Sequence, residues 1–272
     1  GSPITEFSRF PCMNMKSSDD KIRAMEEGGI VLSSILNELL AIAVPGISLL
    51  EIEALAQRRI KEAGMKPSFS TVADYKWATC LCVNDVIVHG IPTAYEVKEG
   101  DVLTIDIGLI HKTYHSDTAW TKVIRAPGSN YRIPKDVETF LSVGQIALKK
   151  ALHEARNGNH VGHISKAIQD IVEGSGYGIA KSLVGHGIGT TLHEPPQIPG
   201  FLKGSVEKTS LLTSGTTVAI EVIYTKGNST LCCLNDGWSI ATKDHSLTAV
   251  FEASIAVTDG EPFILTPVAF VP

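Results

Sequence analysis

The sequence predicts an α+β fold made of two similar halves, and three observations lead there. A pair of helices followed by a β-rich stretch occurs twice, with the strands falling in residues 80–124 and 180–269. The interval from Gly46 to Gly64, which brackets one helix, equals that from Gly158 to Gly176. No low-complexity linker divides the chain, so residues 13–272 read as one domain, with any shared site at the junction of the halves. We infer an ancient duplication packed about a pseudo-two-fold axis, although two helices ahead of a sheet also recur without one.

Each element has its own signal. Ser17 with Asp20 caps a helix over 17–44, whose apolar stripe is Ile22, Met25, Leu32, Leu36 and Leu39, and Pro45-Gly46 stops it. Ser48 with Glu51 caps the second helix, Ile52, Leu55 and Ile60 share its inner face, and Gly64 ends it. In the second half Pro134 opens a helix carrying Val137, Phe140, Leu141, Leu148 and Leu152. The fourth carries Ile164, Ile168 and Ile171 and runs to Gly174 or Gly176.

Composition excludes several function classes. The chain has 272 residues, 24 basic against 29 acidic, for a formal charge of −5, so nothing draws it to nucleic acid or an anionic membrane. No apolar run reaches the ~18 residues that a membrane span needs. The five cysteines (Cys12, Cys80, Cys82, Cys232 and Cys233) contain no CxxC pair and read as reduced thiols of a cytoplasmic protein. Residues 1–12 read as an appended or disordered N-terminal leader, with Met13 or Met15 as the native start. Nothing in the sequence demands an oligomer, and a monomer is expected.

The chemistry concentrates in buried strands. Val102–Ile110 is apolar on both faces apart from Asp106, and it turns around His111-Lys112-Thr113 into a return strand carrying Asp117. Asp106 and Asp117 are equidistant from the midpoint of His111 and Lys112, which would set them opposite each other, with Cβ atoms ~4.5–5.5 Å apart. Facing carboxylates in an apolar strand must be neutralised, by a shared proton or by cations. A satisfied buried aspartate beside a surface one would give the same pattern.

Glu221 and Glu252 stand in equally apolar strands, and His186 lies in Gly185-His186-Gly187-Ile188-Gly189, where glycines let the backbone crowd a ligand. Four carboxylates and one imidazole suit divalent manganese, iron, cobalt or zinc better than calcium, and nearly balance two such ions bridged by hydroxide. His89, at a strand end, and His193 are placed for substrate work. His111, His115, His153, His160, His163 and His245 read as solvated.

The ordered set Asn84–Pro92, Gly100-Asp101 to Asp106, His115-Ser116-Asp117-Thr118, Gly185–Gly189, His193-Glu194, Asp236-Gly237-Trp238, Thr242-Lys243-Asp244 and Phe251-Glu252 resembles methionine aminopeptidases, in their shorter type I form. The short interval between His186 and Glu221 leaves no room for the helical insertion of type II. The resemblance implies the pita-bread fold, two α+β halves around a central curved antiparallel sheet. It implies metal ligands Asp106, Asp117, His186, Glu221 and Glu252, and removal of the initiator methionine from the N-terminal peptides of nascent proteins, at the ribosome or free of it. Glu221 is then general base and acid, and His193 and His89 catalytic and substrate-binding. Tyr75, Cys80 and Trp238 line the methionine pocket.

An Xaa-Pro peptidase or a non-catalytic binding homologue shares the superfamily. The first usually has an extra N-terminal domain, and the second has lost ligands. The sequence departs from the family pattern at Leu192, Val222, Val250 and Ala253, changes expected to touch the pocket and the surroundings of the ligands.

Overall fold

The computed structural model describes residues 19–268. The first-helix cap at Ser17 and residues 1–12 lie outside the described residues. Helices α1 (Asp19–Ile42) and α2 (Leu49–Glu62) precede strands β1 (Lys66–Pro67), β2 (Thr79–Val83), β3 (Val86–Val88), β4 (Val102–His111) and β5 (Tyr114–Val123). Helices α3 (Lys135–Glu154) and α4 (Val161–Val172) precede β6 (Gly178–Ile179), β7 (Val184–Gly187), β8 (Glu194–Pro199), β9 (Thr217–Thr225), β10 (Leu231–Cys233), β11 (Ile240–Thr242), β12 (Thr248–Ala256) and β13 (Phe263–Ile264). No helix among the described residues is long and apolar enough to cross a membrane.

The punctuation is as the sequence predicts. At α2 the Glu51 amide donates to Ser48 Oγ at 3.2 Å, and the Ser48 amide donates to Glu51 Oε2 at 2.9 Å, a reciprocal cap. Gly46, Gly64, Gly158 and Gly176 all adopt φ between +70° and +94°, the left-handed conformation that only glycine takes cheaply. Matched glycines in matched conformations carry the duplication into the backbone.

The main sheet is antiparallel throughout, in the order β1-β4-β5-β12-β9-β7-β8, with β2 on β4, β6 on β9 and β13 on β12. The halves join where β5 meets β12, at Ala119 opposite Glu252. Helix α1 packs on β4 and β5, and α3 packs on β9 and β12, the same relation in each half. Alternate strand residues face this helical layer: Leu103, Ile105, Ile107, Trp120, Ile220, Val222, Tyr224, Phe251 and Ala253 are buried there with Leu36, Leu39, Phe140 and Leu148. Each large apolar side chain so buried stabilises the fold by about 1.5–3 kcal/mol. The other face is left for polar groups, which is what makes a site possible.

Two expectations are corrected here. The β4–β5 hairpin turns on Lys112 and Thr113, with His111 opposite Tyr114, so Asp106 pairs with Ala119 and Asp117 with Gly108. Lys112 (φ +47°) and Thr113 (φ +74°) both take left-handed conformations, the turn whose twist matches the strands, and this sets the register. Asp106 and Asp117 are therefore diagonal neighbours rather than opposed. They share a face all the same, because a shift of two residues preserves the alternation.

The second correction concerns histidines. His115 is buried on β5, 4% exposed, with Nδ1 2.6 Å from Ser68 Oγ. Half-buried His160 and His163 hold the start of α4, where the His160 amide donates to His163 Nδ1 at 3.0 Å. His111 is half-buried against Glu27, whereas His153 and His245 are exposed.

Candidate metal centre

On the face away from the helices, five adjacent strands each contribute one candidate ligand: Asp106 from β4, Asp117 from β5, Glu252 from β12, Glu221 from β9 and His186 from β7. Cross-strand pairing puts Cys80, Asp106, Ala119, Glu252 and Glu221 in one row. Asp117, opposite Gly108, and His186, opposite Ala219, fall two residues along. The directly opposed carboxylates are thus Glu221 and Glu252, a pair that hairpin reasoning within one half could not reveal. Like charges so placed are destabilising unless something neutralises them.

Among the described residues no lysine or arginine pairs with them. Asp106 Oδ1, Asp117 Oδ1 and Glu252 Oε1 are buried and have no hydrogen-bond partner. Burial pushes the Asp117 carboxyl up to about 7, although a hydrogen bond from the Asp106 carboxyl offsets part of the rise. Burial, and next the Asp117 charge, hold Asp106, Glu221 and Glu252 well above the usual carboxylate range. Burial also pushes His186 down to about 4, so its imidazole is neutral.

His186 Nδ1 lies 2.8 Å from the Gly187 carbonyl oxygen; a proton donated there leaves the Nε2 lone pair facing Glu221 Oε1 at 3.5 Å and Asp117 Oδ2 at 3.8 Å. Donor atoms of Asp117, His186 and Glu252 lie within 4.8 Å of one another. Orphaned carboxylate oxygens of Asp117 and Glu252 around a neutral imidazole fit a divalent cation, which would give them a partner.

The glycines around His186 serve the strands rather than a ligand directly. A Cβ on Gly185 would stand 2.6 Å from the Ala219 carbonyl oxygen of β9, and one on Gly187 would collide with the Pro195 carbonyl. Without those side chains β7 fits between β9 and β8 and carries His186 over the cluster.

A cavity of about 160 Å³ opens onto this cluster. All ten residues singled out in the sequence line it: the four carboxylates and the imidazole above, together with His89, His193, Tyr75, Cys80 and Trp238. Val88, beside His89, lines it too, as do Phe69 and Val72, which had carried no signal because they sit in a short irregular segment without periodicity. Tyr75 donates its hydroxyl to the Thr79 carbonyl at 2.6 Å and meets Trp238 edge-on, ring centres 5.0 Å apart.

The His193 ring stands edge-on to His186 at 4.4 Å. His89 adopts φ +58°, an uncommon left-handed conformation for a residue with a side chain, held by the Leu81 amide donating to the Gly90 carbonyl at 2.7 Å. Burial lowers both histidines, so each is a neutral donor.

Of the four departures from the family pattern, Leu192 lines the cavity and Val250 lies on its side of the sheet beside Val88 and Ile223. Val222 and Ala253 face the helices instead and do not line the cavity, so their expected influence on the ligand surroundings is not direct.

A neutral-histidine and carboxylate cluster on the junction of two duplicated α+β halves defines a metallohydrolase-type site in a pita-bread fold. The sequence model of metallopeptidase family M24 matches residues 23–259, and the chain belongs to that family. It is similar to methionine aminopeptidase 1 of Bacillus subtilis, 38% identical over 244 residues that cover 90% of this chain and 95% of the relative. The crystal structure of methionine aminopeptidase from Thermotoga maritima superposes with a TM-score of 0.86 at 32% identity, covering 93% and 99% of the two chains. A prolidase from Pyrococcus furiosus, 19% identical with a TM-score of 0.72, shares the fold alone, and the match spans 64% of that chain.

Proposed function

We propose that this chain is a methionine aminopeptidase, a single catalytic domain acting in the cytoplasm on the N-terminal peptides of nascent proteins. Asp106, Asp117, His186, Glu221 and Glu252 hold two divalent ions, of cobalt, manganese, iron or zinc. The observation that carries the reading is the continuity of the orphaned carboxylates with a cavity walled by Phe69, Tyr75, Cys80, Leu192 and Trp238. A cavity of ~150 Å³ accommodates benzene, so 160 Å³ is ample for one methionine side chain. Its thioether gains ~0.3–1.5 kcal/mol from ring contacts such as Tyr75 and Trp238 offer.

Divalent cations bound at this cluster supply a water acidic enough to lose its proton near neutral pH. Glu221, buried at the cluster with Oε1 3.5 Å from His186 Nε2, would take a proton from such a water and return it to the departing amine. His193 donates an N–H to the oxygen that gains charge as the peptide carbonyl is attacked. His89, fixed by its strained backbone, donates to the scissile amide. Tyr75 presents ring rather than hydroxyl to the cavity, because its O–H is committed to Thr79.

The test strips the protein with chelator and measures methionine release from Met-Ala-Ser as manganese, cobalt, iron and zinc are restored singly. Metal-dependent release from this peptide, with Leu-Ala-Ser and Ala-Pro-Ala left intact, is the expected outcome. Cleavage confined to Ala-Pro-Ala would transfer the chain to the Xaa-Pro peptidases, and inactivity with every metal would make it a binding protein.

A further inference from the structure

Glu53 is a carboxylate that the reaction does not use, yet at 3% exposure it is as buried as Asp117 at 5%. It lies on the inner face of α2 beside Leu49, Ile52 and Ala56, and no cation pairs with it among the described residues. Its partners are all uncharged donors. The Ala78 amide reaches Oε1 at 2.7 Å and the Gln57 side-chain amide reaches it at 2.6 Å. The Thr79 amide reaches Oε2 at 3.0 Å and the Thr79 hydroxyl at 2.5 Å. Four donors from three residues on one carboxylate are more than a buried helix face needs for satisfaction.

What this carboxylate grips is the start of β2. Thr79 accepts the Tyr75 hydroxyl, and Cys80, the next residue, lies 3.3 Å by its Sγ from the same hydroxyl. Both side chains line the cavity, Tyr75 supports Trp238, and Cys80 is opposite Asp106 in the sheet.

We propose that Glu53 is a positioning residue for the methionine pocket: its carboxylate clamps Ala78–Thr79 and thereby sets where Tyr75 and Cys80 stand. The inference rests on the methionine aminopeptidase reading and adds to it a residue outside the cavity that governs substrate binding. Glu53→Gln is the telling substitution, because it keeps shape and removes an acceptor. Gln57 could flip to meet the new amide, but the backbone cannot: whichever oxygen becomes nitrogen faces the Ala78 or the Thr79 N–H, donor against donor.

The experiment compares wild type, Glu53→Gln and Thr79→Val, which loses only the hydroxyl donor. Glu53→Gln is expected to raise KM for Met-Ala-Ser about tenfold while kcat stays within about twofold, with Thr79→Val shifted less in the same direction. Calorimetric binding of free methionine should weaken by the same factors, and it reads the pocket without turnover. A lowered Tm with KM and methionine affinity unchanged would overturn the proposal, leaving Glu53 a structural anchor. A fall in kcat matching the rise in KM would overturn it too. If Glu53→Gln does not fold, an unchanged methionine affinity in Thr79→Val overturns it instead. A wild type that binds methionine but does not turn over Met-Ala-Ser overturns the enzymatic reading alone, and the binding ratios still decide the clamp; a wild type that binds no methionine overturns both.

Discussion

At the scale of single residues, environment decides which titratable groups can do work. Glu221 and Glu252 face each other across β9 and β12 and are held well above the usual carboxylate range by burial, while half-buried Glu27 finds both Lys112 and His111 and is lowered by them. Replacing Glu221 by glutamine is expected to lower kcat by at least 10²-fold, the usual worth of a general base. His193→Ala should cost ~10²–10³ in kcat with little change in metal content. Both are read by peptide turnover alongside elemental analysis, and a near-wild-type rate in either would remove that residue from the mechanism.

Asp117 sets a pH limit on metal affinity. Burial pushes its carboxyl up to about 7, so below that pH a cation must displace this proton as well as those of the other raised carboxyls, and affinity should fall by at least ~10-fold per pH unit. His186, neutral down to about 4, adds no competition in that range. Calorimetry at pH 7 in two buffers of different ionisation enthalpy should register proton release on metal binding; none would contradict the assignment.

At the scale of elements, close packing of backbones places the ligands. Strand β7 reaches the cluster only because Gly185 and Gly187 let it lie against its neighbours. Gly185→Ala would drive a methyl group into the Ala219 carbonyl and prise β7 from β9. About 1–3 kcal/mol of stability should be lost. Thermal unfolding of the metal-free protein would measure it, and a metal titration should show weaker binding because His186 moves with its strand. Loss of stability with unaltered metal affinity would mean that β7 can shift without taking the imidazole along.

At the scale of the whole molecule, the metal-free fold carries a strained cluster, and metal and proton compete to relieve it. The folded pKa of Asp117, about 7, lies above the unfolded value near ~3.9. The contribution of that group to stability is therefore complete below ~3.9 and is lost as pH rises through about 7. The chelated protein should accordingly lose Tm as pH rises from about 4 to about 7 and level off above that. The metal-loaded protein, whose carboxylates are ionised and compensated, should not. Parallel Tm curves for the two forms would show that the cluster is not where metal binds. The two-half arrangement bears on this directly: five candidate ligands on five adjacent strands require the seam of the halves, β5 on β12, to be in register.

Sequence alone determined the helices, the Ser48 cap, and the buried carboxylates and His186 of the cavity, because each rests on local physics, while Tyr75, Cys80 and Trp238 came from the resemblance. Capping needs a residue and its third neighbour, a helix needs an apolar stripe, and a lone Asp or Glu inside an apolar strand is costly wherever that strand lies. Matched glycines revealed the duplication for the same reason, since a left-handed turn is a one-residue requirement. Only the tertiary structure decided the register of β4 on β5, which depends on how the Lys112-Thr113 turn matches strand twist. It alone put Val222 and Ala253 on the helical side, buried His115 against Ser68, and opposed Glu221 to Glu252. Each of these is a relation between strands or faces far apart in sequence, and period-two alternation says that two faces exist without saying which one the helices will cover.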